Sequence, residues 1–286
     1  MKRSLLEVLA CPVCRGSLEF EGVGSDDRLT CGFLRCVKGH LYQVKDEIPL
    51  LKDPKLSENE FAWTVEFPDV KRYDKTREEY ASYLSKELIE ADRALVHEIA
   101  RIVSKERLIL DVASGMGMLL LKLSQQLEKS NNVVGTDIDE KPLRGAKLKL
   151  EEQKSYEKVS LCVMDGKHLA IKQQKISCVT SYFGFDNIPE TKKALQEAHH
   201  VLEPSGRLVF AAIWFKEGSK SLELSEKFGY SGLATEEKLR KMLEETGFKI
   251  NSVEPFYSGI WPHNPMDLMP LQGDWFAHAL VQAYKR

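Results

Sequence analysis

The sequence predicts an α/β protein, a doubly wound open sheet preceded by a small unit that a metal ion holds together. Three observations carry that expectation. At Leu108-Ile-Leu-Asp-Val-Ala-Ser-Gly-Met-Gly-Met118 an apolar run ends in a small-residue turn and passes into a helical pattern. From there to the last residues, strand-like and helix-like stretches alternate. Ahead of it stand two short turns rich in soft ligands, Cys11-Pro-Val-Cys14 and Cys36-Val-Lys-Gly-His40.

Length and composition exclude several classes. A chain of 286 residues makes one large or two small domains with a sizeable core. A formal net charge of -2 leaves no global footprint for nucleic acid. No stretch approaches the apolar length of a membrane span, and Met1-Lys-Arg-Ser-Leu-Leu-Glu7 lacks the apolar core of a signal peptide, so a cytoplasmic protein is expected. Six cysteines in that setting point to metal or burial rather than to disulfides.

In chain order the two cysteine turns come first. Each aims two ligands at one point, and Cys11, Cys14, Cys36 and His40 together make a closed, tetrahedral, structural zinc site. A region this small buries too little apolar surface to fold unaided, which makes a structural metal physically reasonable. Cys31 is the alternative to His40, but it falls in the strand-like stretch Arg28 to Arg35 leading into the second turn, so His40 is favoured. Residues 1–55 are read as this zinc-bound unit and 56–75 as linker. The linker region from Lys52 carries Phe61, Trp63, Phe67 and Tyr73, which either pack between the units or form a lid over a ligand. From Thr76 to Val103, Tyr80, Leu84, Leu88, Ile89, Leu95, Ile99 and Ile102 recur at helical spacing and predict one or two amphipathic helices at the start of a domain spanning 76–286.

The glycine turn carries the ligand chemistry. Ser114, Gly115 and Gly117 leave no bulk between a ligand and the amides at the helix start. A dinucleotide-binding loop needs a third glycine, and Leu120 stands in its place. Asp111 at the strand end would repel a pyrophosphate, yet it suits a ligand that brings an ammonium and a sulfonium, and S-adenosylmethionine is such a ligand. Twenty residues past Gly117, Asp137 follows a second apolar run, where an acid accepts hydrogen bonds from both ribose hydroxyls.

Beyond the loop, strands are expected near 132–138, 159–164, 176–183 and 206–214, with helices near 117–128, 140–153 and 190–202. Cys162 and Cys178 fall in the strands and are read as core; His97, His199 and His200 fall on helices and are read as surface or core. Asp165 ends its strand on the ligand side and can accept from an adenine amino group or simply cap a turn. Lys216 to Gly232 reads as a flexible insertion. Thr235 to Gly247 is a capped helix. Strands near 248–258 and 275–284 finish the sheet, and between them Tyr257, Trp261, His263, Asn264, Met266 and Met269 form an irregular loop that suits the wall of an acceptor pocket.

Several stretches together resemble a known family. Asp111-Val-Ala-Ser-Gly-Met-Gly117 is similar to motif I of the class I S-adenosylmethionine-dependent methyltransferases, and Val134-Gly-Thr-Asp-Ile-Asp139 to their motif II. Val163-Met-Asp-Gly-Lys-His-Leu169 resembles a further family stretch, and Val201-Leu-Glu-Pro-Ser-Gly-Arg-Leu-Val-Phe210 a family turn, with Ser205 in place of a usual glycine and Ala170 in place of a proline. Ser181-Tyr-Phe-Gly-Phe-Asp-Asn-Ile188 resembles the quinone-biosynthesis C-methyltransferase branch. The resemblance implies a Rossmann-like seven-stranded sheet with its last strand antiparallel. It also implies cofactor contacts at Asp111, Ala113, Ser114, Gly115, Gly117, Asp137, Ile138, Met164, Asp165, Gly166, Ser181, Tyr182 and Phe183. The N-terminal unit resembles the zinc-ribbon of the small activator subunit of tRNA and ribosomal methyltransferases, and its Cys-x3-His turn resembles the ribbon of ribosomal RNA guanine-N1 methyltransferases.

The expected activity is therefore methyl transfer from S-adenosylmethionine by in-line displacement. It needs a base only if the acceptor carries a proton, and Tyr182 and His263 are the candidates. A small-molecule acceptor is favoured by the quinone-type stretch. An rRNA, tRNA or translation-protein acceptor is what the ribbon argues for, against a balance of acids and bases in residues 1–60 that gives no basic stripe. A non-catalytic activator is disfavoured, because the cofactor motifs are intact.

Overall fold

The computed structural model describes residues 1–53, 64–128 and 131–286. Phe61 and Trp63, two of the four linker aromatics, lie outside them. The N-terminal unit is an antiparallel meander of β1 (Leu18–Gly24), β2 (Leu29–Cys36), β3 (Leu41–Lys45) and β4 (Ile48–Pro49). Alternation places Leu34, Cys36, Tyr42 and Val44 inside and their neighbours outside. The β3–β4 turn holds Asp46 and Glu47 at φ 49° and 65°, the left-handed geometry that matches strand twist in a tight hairpin.

The larger unit begins with α1 (Val70–Ser82) and α2 (Lys86–Val103), capped by the Asp69 and Ser85 side chains. Helix α1 thus starts inside the stretch expected to be linker. Phe67 and Tyr73 in that stretch are buried, their rings 6.1 Å apart, and a side chain at Gly145 would strike both. Then β5 (Leu108–Val112), α3 (Met118–Gln126), β6 (Asn132–Asp137), α4 (Glu140–Glu152), β7 (Val159–Val163), β8 (Ile176–Tyr182), α5 (Thr191–Val201) and β9 (Leu202–Phe215) alternate as expected. The supposed flexible insertion holds α6 (Lys220–Lys227): Ser219 caps it, and buried Ser221 and Leu222 tie it down. The Ser, Gly and Lys content that reads as loop is the cap and the solvent face of a short helix. Helix α7 (Glu236–Glu245) with its Thr235 cap, β10 (Phe248–Ile260) and β11 (Trp275–Lys285) complete the chain.

The main sheet runs β10-β11-β9-β8-β5-β6-β7, and only β11 opposes the others. This is a mixed α/β, Rossmann-like sheet of seven strands with the last strand antiparallel. Ser205 adopts φ +59° near the start of β9, where the register against β8 shifts, which explains why a glycine is the easier residue there. The small unit covers the β7 edge: Leu51 N donates to Val163 O at 2.8 Å, and Arg28 lies 4.4 Å over the Tyr156 ring. Its apolar residues, Leu9, Leu29 and Leu51 among them, join one continuous core with Val134, Phe210 and Val281. Among the described residues no helix is long and apolar enough to cross a membrane.

Candidate active site and metal centre

The loop from β5 to α3 is shaped by backbone conformations that small residues tolerate. Ala113, Gly115 and Gly117 have φ of 53°, 51° and 77°. A side chain at Gly117 would also come within 2.8 Å of the Ala146 Cβ. Leu120 occupies the place of a third glycine because β6 makes room for it: a Cβ on Gly135 would lie 2.4 Å from Leu120 Cδ1. The small residue has moved from the helix to the strand beneath it. Ser114 locks the loop, its N donating to Thr136 O at 2.7 Å and its hydroxyl donating to Asp111 O at 3.1 Å.

Two buried acids sit at the carboxyl ends of β5 and β6. Asp111 Oδ1 accepts from Thr180 Oγ1 at 2.9 Å. Asp137 accepts from Gly115 N at 2.9 Å and from Asp139 N at 3.1 Å. Burial pushes the Asp111 carboxyl up to about 7 and the Asp137 carboxyl up to about 6, with the hydrogen bonds each accepts pulling the other way. These acids are uncomfortable as anions until a cation or a donor arrives, which suits a ligand with ammonium, sulfonium and hydroxyl groups.

The other expected contact residues divide. Met164 is buried beside Asp137, with its N donating to Asp137 O, and Ile138 is half-buried. Asp165 accepts from Lys167 N at 2.8 Å and faces His168, so one oxygen is already used in its own turn. Gly166 lies under Ile188, where a side chain would collide. The Ser181 hydroxyl donates to Val112 O at 2.7 Å and ties β8 to β5. Phe183 turns the chain out of β8 at φ +56°.

A second polar cluster lies past the β8 end. Asp111 pairs with Thr180 in the sheet, so Tyr182, two residues on, projects from the same face. Tyr182 is level with Ala211 and Leu280, and His278 lies two residues further along β11, again on that face. His278 Nδ1 is 3.0 Å from Asp92 Oδ1 on α2. Tyr80 on α1 donates to Asp267 at 2.9 Å, and Asn264 donates to the same oxygen at 2.6 Å. Burial, with Asp92 nearby, holds the Tyr182 phenol well above its ordinary range; it stays protonated at neutral pH and can donate but not abstract. His263 is exposed. Trp261 is buried edge-on against Phe276 at 4.9 Å, and Tyr257 belongs to β10 rather than to the loop. Asp92, His278 and Asp267 escape the sequence reading. The one local signal was a histidine in the apolar run Phe276-Ala-His-Ala-Leu-Val281.

In the small unit the ligand atoms of Cys11, Cys14, Cys36 and His40 all lie within 4.8 Å of one another. Cys14 Sγ and Cys36 Sγ are 3.8 Å apart, and His40 Nδ1 is 3.4 and 3.2 Å from Cys11 Sγ and Cys36 Sγ. A tetrahedron with zinc bonds of about 2.3 Å to sulfur and about 2.0 Å to nitrogen has edges of roughly these lengths. Cys31 is exposed and outside the cluster.

Comparison with known proteins gives concordant results. The profile of the ubiE/COQ5 methyltransferase family matches residues 71–222. The chain is 30% identical over 179 residues to a ubiquinone/menaquinone biosynthesis C-methyltransferase of Rickettsia felis, covering 53% of this chain and 72% of that one. It is 34% identical over 99 residues to a demethylmenaquinone methyltransferase of Lactobacillus johnsonii, there covering 35% of this chain and 41% of the relative. Its fold is similar to that of magnesium protoporphyrin IX methyltransferase from Synechocystis with bound SAH, with a TM-score of 0.52, 17% identity, and 76% of this chain and 96% of that one covered.

Proposed function

Since the chain belongs to the ubiE/COQ5 methyltransferase family and is an S-adenosylmethionine-dependent methyltransferase, we propose that its acceptor is a small quinol-like ring and that the atom methylated is a ring carbon. The observation that carries the reading is the pair Asp111 and Asp137, buried acids at neighbouring strand ends, on the same sheet face as the aromatic and polar cluster at the ends of β8 and β11.

Bound S-adenosylmethionine supplies a methyl group already activated on sulfur. The chain's part is to hold and orient. Asp137, fixed by Gly115 N, is placed to accept from ribose hydroxyls, and Asp111 faces the cationic end. The backbone at Ser114, Gly115 and Gly117 lets the ligand approach without side-chain bulk. Phe183 and Tyr257, both part-exposed, offer ring faces for a planar acceptor, with buried Phe276 packed against Tyr257, and these apolar walls keep water from competing for the methyl group.

The thiol and imidazole cluster fits zinc in a structural role, because four protein ligands leave no open position for catalysis. The ribbon also sits on the wrong edge to line the acceptor. From β7 to β11 is five strand spacings, about 24 Å. An RNA acceptor read through the ribbon is thus the weaker alternative. The test is a methyl-transfer assay with labelled cofactor against reduced naphthoquinols, a metabolite extract and total RNA. Label appearing in RNA alone would overturn the quinol reading.

A further inference from the structure

We propose that His278, held by Asp92, is the base that takes the acceptor's hydroxyl proton, an inference that rests on the quinol reading above. His278 is 3% exposed in a strand position where the sheet would ordinarily take an aliphatic residue. Its Nδ1 approaches Asp92 Oδ1 to 3.0 Å, yet neither atom completes an aligned hydrogen bond. Its Nε2 makes no hydrogen bond among the described residues. Buried imidazoles ordinarily satisfy their ring nitrogens, so an open Nε2 inside aromatic walls marks a place for a partner that comes and goes. The walls are Phe183, Phe276 and Tyr257, with ring centroids 4.4, 5.0 and 6.3 Å from the imidazole.

The surroundings favour this residue over the other candidates. Asp92 from α2 and Tyr257 from β10 meet His278 directly. Asp92 also acts on Tyr182 of β8, as do Tyr80 and Arg77 of α1, and Tyr80 donates to Asp267 in the segment before β11. Tyr182 is kept protonated by burial, and His263 is in solvent. His278 shares a sheet face with Asp111 and stands at the carboxyl end, where ligands of open α/β sheets bind.

The step balances. Nε2 takes the hydroxyl proton, and the oxygen's charge spreads onto the ortho ring carbon. That carbon forms the new C–C bond as the methyl–sulfur bond breaks, and the broken bond's electron pair stays on sulfur. The same carbon then loses its hydrogen as a proton to water, which restores the aromatic ring, and His278 returns its proton to the oxygen. Methyl transfer thus releases one proton overall. Asp92 is a positioning residue: its carboxylate, 3.0 Å from Nδ1, is close enough to accept the Nδ1 proton's hydrogen bond once the ring is charged and to steady the imidazolium.

Two readouts on the full chain test this. With S-adenosylmethionine and reduced 1,4-dihydroxynaphthalene, His278→Gln should cut kcat by about 100-fold or more while cofactor affinity and KM stay within about threefold. Asp92→Asn should fall between and move the pH profile of kcat. Separately, 4-nitrophenol bound beside S-adenosylhomocysteine should ionise at lower pH than the free probe by about one unit, read from the phenolate absorbance, and His278→Gln should abolish that shift. Melting curves of both variants check that they fold. Quinol turnover in His278→Gln within threefold of the parent, or an unchanged probe shift, overturns the proposal while leaving the acceptor class intact. A parent protein that ionises the probe through His278 but methylates no quinol overturns the acceptor class and leaves the base in place. A parent that does not shift the probe overturns the proposal.

Discussion

The two halves of the strand-end site are built in different ways. Around β5 and β6 the groups lie within two short stretches, Asp111 to Gly117 and Asp137 to Asp139, stitched together by Gly115 N to Asp137 and Ser114 N to Thr136 O. Around β8 and β11 they come from α1, α2, β8, β11 and the segment between β10 and β11, with Tyr80 and its partner Asp267 187 residues apart in the chain. On the proposed reading, a cofactor with one fixed shape is recognised by a compact local motif. The proposed acceptor side is assembled by tertiary packing, so it can change one element at a time while the cofactor half stays as it is.

The largest effects should break the halves apart. His278→Gln strikes turnover and spares cofactor binding, as set out above, whereas Asp137→Asn should weaken S-adenosylmethionine binding at least tenfold. Cofactor affinity should also depend on pH. The carboxyls of Asp111 and Asp137 titrate at about 7 and about 6, above their ordinary 3.8, so a cationic ligand binds more tightly as pH rises from 5 to 8. Stability of the unliganded chain moves the other way. Between pH 4 and 7 the unfolded chain gives up these protons first, so stability is lost as pH rises through that window and levels off beyond it. Melting temperature with and without cofactor at pH 5 and 8 measures both; a cofactor-induced gain that is larger at pH 5 would contradict the assignment.

Next in size is the proposed zinc. Because the ribbon's Leu9, Leu29 and Leu51 share a core with the main sheet, stripping zinc with a chelator should lower the melting temperature of the whole chain by about 5 °C or more rather than melt the ribbon alone. Cys14→Ser should do the same, and Cys31→Ser should keep the metal. Smaller still is Gly135→Ala, which forces a methyl against Leu120 and should cost about 1–3 kcal/mol by denaturant titration with little change in KM. His263→Ala, at an exposed position, should change turnover less than twofold.

What was legible in the sequence follows from the same contrast. Alternating periodicity, the glycine turn, the strand-end acids and the paired cysteine turns are local signals, and they locate the sheet, the proposed cofactor half and the thiol and imidazole cluster. The proposed acceptor half carries no local signal, because Asp92 reads as one more polar residue on an amphipathic helix and His278 as one odd residue in an apolar strand. Helix α6 was hidden for a simpler reason: its Ser219 cap and lysines have the composition of a loop, and only the burial of Ser221 and Leu222 shows what they begin. Tyr73 reads as linker in the sequence, although it is fully buried with its hydroxyl donating to Met116 O at 2.7 Å, because a helix start at Asp69 looks like a turn.

Calorimetric titration of S-adenosylmethionine into the parent chain and into Asp137→Asn tests the central claim, that the acids at the β5 and β6 ends hold the cofactor, most directly. The substitution keeps the side chain's shape and replaces an acceptor of charge-assisted hydrogen bonds worth about 1.5–3 kcal/mol each, so affinity should fall at least tenfold at pH 8. Equal affinity in the two proteins, or a parent that binds NAD and ignores S-adenosylmethionine, would contradict it.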